Sequence, residues 1–223
     1  MKLLRNLFSK QKQKPEYYWE YYNRLNFVSS RIKELNLSVP RILDVGGATG
    51  NNLLLKFGIP NVTTLDTDPH ADMVANAENI PAQNNFYDIV TCIDTLEHIP
   101  LKNRDRVIYE LIRVASKAIF IVAPVDSPEN NKAERLVLKY TGNKFIEEHQ
   151  KYGLVNFKQI ESILHKQKEK SIIKDFKKDE IDNLLNWVIM MARGYVNETV
   201  IYQECFFLEN FFYPRRNALS IYK

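Results

Sequence analysis

Three groups of residues in this 223-residue chain have the types and spacing that chemistry needs. The first is Asp44 with Gly46, Gly47 and Gly50, at the end of the run ILDVGGATG (42–50). Glycines there let the backbone turn sharply and approach a ligand with no Cβ in the way. The second is Asp66, which closes NVTTLD 16 residues after Gly50. A carboxylate at that distance can accept two hydrogen bonds from a vicinal diol, and ionised acceptors make the stronger bonds. The third is FIEEHQKYGL (145–154), where Glu148, His149 and Tyr152 offer polar groups. A histidine titrates near pH 6.5, roughly, so His149 can take a proton from a hydroxyl.

These residues must be positioned by regular elements. Ile42, Leu43 and Val45 suit a strand buried on both faces, and Asn51–Lys56 starts a helix. A strand, a glycine turn and a helix form a nucleotide-type binding corner. Asn61–Asp66 and Asn85–Cys92 read as further strands, Lys102–Ala115 as a helix, and Ala118–Val122 as a fifth strand ended by Pro124. This alternation predicts an α/β fold with a mostly parallel, doubly wound sheet. Downstream, Asp126–Asn131 reads as a loop and Lys132–Tyr140 as a helix. Phe157–Leu164 reads as a helix, Ser171–Phe176 as a sixth strand, and Glu180–Tyr195 as an amphipathic helix. Pro15–Leu37, rich in aromatics, predicts a helix before the first strand. The expected organisation is a helical cap at 1–40, then one domain at 41–223 with a helical substrate-side insertion around 126–200.

The order D-x-G-x-A-x-G resembles motif I of the class I S-adenosylmethionine-dependent methyltransferases, [DE]-x-G-x-G-x-G, with Ala48 in place of the middle glycine. The segments NAENIP (76–81), NFYDIV (85–90) and LEHI (96–99) continue the resemblance. It implies a Rossmann-like seven-stranded sheet whose last strand, in Phe211–Lys223, is antiparallel, and S-adenosylmethionine as cofactor. It places Asp44 on the glycine amides and the cofactor amino group. Gly46, Gly47, Ala48 and Gly50 shape the methionine pocket. Asp66 takes the ribose, with Thr67 beside it in the cofactor site. Asn76 stands where the family usually carries an acid on the adenine amino group, and its amide oxygen can still accept from an N–H. Ala77 offers backbone to the adenine edge. Ile93 and Asp94 border the methionine moiety, and Glu97 and His98 line the cleft or hold its shape.

The pattern E-H-x-x-Y-G-L at 148–154 resembles a segment of bacterial methyltransferases linked to glycan assembly. The expected reaction is therefore methyl transfer to an oxygen of a small molecule or glycan, with His149 as base. Two other readings stay open. One is a membrane-surface lipid or quinone methyltransferase held by the basic amphipathic residues 1–14. The other is a non-catalytic S-adenosylmethionine-binding protein, motivated by Ala48 and Asn76. A nicotinamide oxidoreductase is disfavoured, because G-x-G-x-x-G is missing.

Composition narrows the classes further. The net charge of +4 comes without an aromatic-and-basic reader motif, so nucleic acid is not an expected partner. Cys92 and Cys205 lack metal-ligand spacing, so no metal is expected, and two buried thiols suit the cytoplasm. No apolar run is long enough to cross a bilayer, which leaves weak peripheral contact through residues 1–14 as the expected membrane association.

Overall fold

The computed structural model describes residues 19–47, 53–183 and 214–223. The chain opens with helix α1 (Trp19–Glu34), strand β1 (Ile42–Val45) and a short helix α2 (Leu53–Lys56). Strands β2 (Val62–Asp66), β3 (Met73–Val74) and β4 (Tyr87–Ile93) follow, then a 3-10 turn at Leu96–His98, helix α3 (Leu101–Val114) and strand β5 (Ala115–Pro124). Three helices come next: α4 (Pro128–Thr141), α5 (Lys144–Tyr152) and α6 (Phe157–Glu169). Strands β6 (Asp175–Asn183) and β7 (Pro214–Tyr222) complete the set.

The seven strands form one sheet in the order β3-β2-β1-β4-β5-β7-β6. The pairs β1/β2, β1/β4, β2/β3 and β4/β5 are parallel. Strand β7 runs antiparallel to both its neighbours, β5 and β6. This is the doubly wound, mostly parallel sheet that the sequence predicts, with the last strand reversed.

Side-chain alternation splits the core into two layers. Ile42, Ile89, Phe120 and Val122 face Leu25, Val28 and Ile32 of α1. Leu43, Val45, Val90, Cys92, Ile119 and Ile121 face Val107 and Leu111 of α3 and Ile160, Ile163 and Leu164 of α6. The strands are apolar on both sides, as a sheet covered by helices on both faces requires.

The structure revises several boundaries. Ser127 caps α4, its side chain accepting from Asn130 N at 3.1 Å, and Pro128 occupies the first turn. Helix α4 therefore begins inside the stretch read as a loop. Strand β5 starts at Ala115 and directly follows α3 with no connecting loop. The sixth strand lies at Asp175–Asn183 rather than 171–176, and residues 180–183 of the expected Glu180–Tyr195 helix belong to it. The rest of that helix falls outside the described residues. Strand β6 reads DFKKDEIDN, with almost no apolar alternation. It is an edge strand, where charge is tolerated and blocks pairing with other chains. Strand β3, only two residues long, carries no pattern that sequence reasoning could detect.

Candidate active site

Strand β1 ends at the glycine turn. Gly46 has φ +80° and donates its N–H to Leu65 O at 2.7 Å. A side chain there would be strained by the backbone and would overlap Thr95, with a Cβ 2.8 Å from Thr95 Cβ. Thr95 is itself fixed, its Oγ1 donating to Val45 O and to Ile93 O, each at 3.1 Å. The turns after β1 and β4 therefore interlock at the carboxyl ends of the central strands, where open α/β sheets bind their ligands. A Cβ at Gly47 would lie 2.5 Å from Asp44 Oδ2, so that glycine gives the Asp44 carboxylate its room. Ala48 and Gly50 lie outside the described residues.

Asp44 is buried, and its Oδ1 accepts from Thr91 Oγ1 at 2.6 Å. Burial raises its pKa from 3.8 to about 6, against the lowering effect of the Thr91 hydrogen bond. The native state thus holds a proton that the unfolded chain has released. Its contribution to stability is full below pH 3.8 and is lost as pH rises to about 6. That loss is of the order of 3 kcal/mol. Ligand-free protein is expected to show a falling urea midpoint across this window, and Asp44→Asn should flatten it. An equal fall in the variant would exclude Asp44 as the cause.

Asp66 ends β2. Its Oδ1 accepts from Asp68 N at 3.0 Å and from Thr67 Oγ1 at 3.4 Å. Asp68 itself holds a turn, its Oδ1 accepting from His70 N at 2.8 Å. Asn76 Oδ1 accepts from Glu78 N at 2.8 Å, while Ala77 packs on the core beneath. Ile93 packs on the opposite layer.

Sequence reasoning misses an ionic cluster just beyond β4. Asp94, at φ +47°, pairs with Arg24 of α1 (Nη1–Oδ2, 2.5 Å) and Arg216 of β7 (Nε–Oδ1, 2.8 Å). Burial alone would raise its pKa, but Arg216 and Arg24 outweigh this and hold it at about 2. Arg215, the preceding residue of β7, donates Nη2 to Glu134 Oε1 of α4 at 2.5 Å. The only advance signal was the Arg215–Arg216 pair near the end of the sequence.

Glu134 Oε1 also meets His149 Nδ1 at 2.8 Å, and Oε2 accepts from Gln150 Nε2 at 3.3 Å. Burial works to raise the Glu134 pKa, yet His149 and Arg215 hold it below the ordinary value. His149 is buried, and its Nε2 lies 3.4 Å from His98 Nε2. His98 is partly exposed, with Nδ1 on Glu148 Oε2 at 2.8 Å. Burial, helped by the neighbouring His149, lowers the His98 pKa. The two histidines are therefore one unit, joined across 51 positions of sequence.

The base of this unit is Glu97, which is buried, and burial with nearby Asp94 raises its pKa to about 8. Arg104 of α3 fastens the assembly. It donates to the carbonyls of Ile99 (3.0 Å), Tyr152 (3.1 Å), Gly153 (2.5 Å) and Leu154 (2.9 Å). The turn bearing Glu97 and His98 is thereby tied to the end of the helix bearing His149.

A family model described as a methyltransferase domain matches residues 17–166 of this chain. The chain belongs to the methyltransferase-domain family. It is an S-adenosylmethionine-dependent methyltransferase, with S-adenosylmethionine as cofactor. Solved structures share its fold. A SAM-dependent methyltransferase from Archaeoglobus fulgidus has a TM-score of 0.57 at 15% identity, covering 93% of this chain and 100% of its own. A plantazolicin methyltransferase, solved with a desmethyl-plantazolicin analogue and SAH, has 0.58 at 15%, covering 100% and 90%. The magnesium protoporphyrin IX methyltransferase of Synechocystis, solved with SAH, has 0.56 at 12%, covering 100% and 99%. At these identities the likeness is one of fold. No curated protein matches the chain in sequence. Among the described residues, no helix of this methyltransferase is long and apolar enough to cross a membrane.

Proposed function

We propose that this methyltransferase acts on a hydroxyl oxygen of a small molecule or glycan, and that the His98–His149 pair takes the hydroxyl proton. The observation that carries this reading is the orientation of the two rings. Each Nδ1 lies 2.8 Å from a carboxylate oxygen, on Glu148 and Glu134. An ionised carboxylate only accepts, so each Nδ1 carries the hydrogen and each Nε2 keeps its lone pair. The two Nε2 atoms face each other across 3.4 Å, so a proton taken by one can be shared with the other. His149 is the inner member, and the more exposed His98 is the one that can meet the acceptor.

The reaction needs little more than alignment, because the sulfonium of S-adenosylmethionine already carries a good leaving group. The hydroxyl oxygen bonds to the methyl carbon as the carbon–sulfur bond breaks, and its electron pair stays on sulfur as a neutral thioether. The hydroxyl proton passes to the imidazole pair. An alcohol ionises far above neutral pH, so it gains from such a base.

The cofactor reading assigns Asp44, Gly46, Gly47, Ala48 and Gly50 to the methionine end, bordered by Ile93. It assigns Asp66 and Thr67 to the ribose, and Asn76 and Ala77 to the adenine. Calorimetric titration with S-adenosylmethionine and S-adenosylhomocysteine tests it. Both ligands should bind the wild type, and Asp66→Ala should weaken them by 100-fold or more, roughly two charge-assisted hydrogen bonds. Unchanged affinity in the variant would remove Asp66 from the site. The acceptor class is tested with nucleotide-sugars, glycans and small alcohols against thiol and amine controls. Turnover confined to the controls would overturn the oxygen assignment.

A further inference from the structure

We propose that Glu97, His98 and His149 bind a divalent first-row transition metal ion beside the acceptor. Each of the three offers one ligand atom, and these atoms all lie within 4.8 Å of one another. The histidine nitrogens that face each other are 3.4 Å apart. Two nitrogens each ~2.1 Å from a tetrahedral ion stand about 3.4 Å from each other, so the gap already fits an ion.

The supporting residues match what an ion needs. Each histidine has its far nitrogen on a carboxylate, Glu148 for His98 and Glu134 for His149. This carboxylate–histidine arrangement fixes the tautomer, aims the ring and raises its basicity toward a metal. The third ligand is the most telling. Glu97 is buried to 1% exposure, and its Oε2 has no hydrogen-bond partner among the described residues. A buried carboxylate oxygen without a partner costs free energy, and a cation beside it removes that cost. Two imidazoles and one carboxylate favour zinc, manganese, cobalt or nickel over magnesium or calcium, which prefer all-oxygen sets.

Three protein ligands leave at least one position open for an oxygen atom. His98, the most exposed of the three, marks the open side. An acceptor hydroxyl bound there would lose its proton more readily, because the ion stabilises the alkoxide. With the ion bound, the proton passes to solvent and the histidines act as ligands; in the ion-free protein they take the proton themselves. This inference rests on the hydroxyl-acceptor reading for its role, but the ion site itself can be tested without any acceptor.

The test uses full-length protein stripped with a chelator, then titrated with Co2+ by visible absorption and with Zn2+ by calorimetry. One ion per chain should bind, with the Co2+ band of a nitrogen- and oxygen-ligated centre. His98→Ala should abolish that band. Glu148→Gln, at a half-exposed position, should weaken binding by roughly ten-fold or more. Thermal melts establish that both variants are folded. Absence of binding to the wild type, or equal binding in both variants, overturns the proposal. Chelator-insensitive methylation of a hydroxyl by wild type that binds no ion would sink the metal site and leave the acceptor reading standing. An ion bound as described, with only thiols or amines methylated, would do the reverse.

Discussion

Glu134→Ala should lower the unfolding free energy by about 3–5 kcal/mol. Glu134 is fully buried and holds three partners from two elements at once: Arg215 from β7, and His149 and Gln150 from α5. Removing one partner of a buried ion pair leaves the other in a poorly solvated place, which costs far more than the pair contributes in net terms. Urea unfolding measures this directly, because a change in midpoint at constant slope is a change in stability. A loss under about 1 kcal/mol would mean that the network relaxes or admits water, contrary to the expectation. Glu134→Gln should fall between, keeping an acceptor but losing the charge. His98→Ala, at the partly exposed end of the same chain of contacts, should leave stability nearly unchanged.

The second large effect is expected at Gly46. Gly46→Val forces a β-branched side chain onto a backbone with φ +80° and drives it into Thr95. Strain of this kind costs on the order of 1–3 kcal/mol, and overpacking adds a similar amount. Cofactor binding should be lost with it, because the turn can no longer lie against Thr95. Gly153 supplies an internal control. It has the same φ of +80°, but a Cβ there meets nothing within 4 Å. Gly153→Ala should therefore show backbone strain alone, roughly 1–3 kcal/mol, while Gly46→Ala shows strain plus collision. Equal losses at the two positions would show that Thr95 gives way and that crowding plays no part.

The contrast between these positions bears on what the sequence could disclose. The parallel half of the sheet was legible because buried strands there are continuous aliphatic runs, and the glycine turn was legible because it is local. Strand β6 was not, since an edge strand with Lys177, Lys178, Asp179 and Glu180 looks like a solvated segment. Its strand character comes from pairing with β7, which no local pattern encodes. The side chains around His149 divide in the same way. His149 stood out as a titratable group in a polar segment. Its neighbours His98, Glu134 and Arg215 come from a turn, a helix and a distant strand, and only the fold brings them together. Sequence reading also treated Glu97 as part of the cleft wall, because burial without a hydrogen-bond partner is visible only in three dimensions.

Strand β7 follows every other described strand in the chain, yet it occupies an inner place in the sheet, between β5 and β6. A nascent chain still on the ribosome before residue 214 would carry β5 with one edge open and β6 with no partner. It would also lack Arg215 and Arg216, so Glu134 and Asp94 would be without these countercharges while the rest of the fold collapsed around them. Closure of the sheet between β5 and β6 therefore waits for β7. Until then, chaperones would meet an exposed, mostly aliphatic strand edge at residues 115–124.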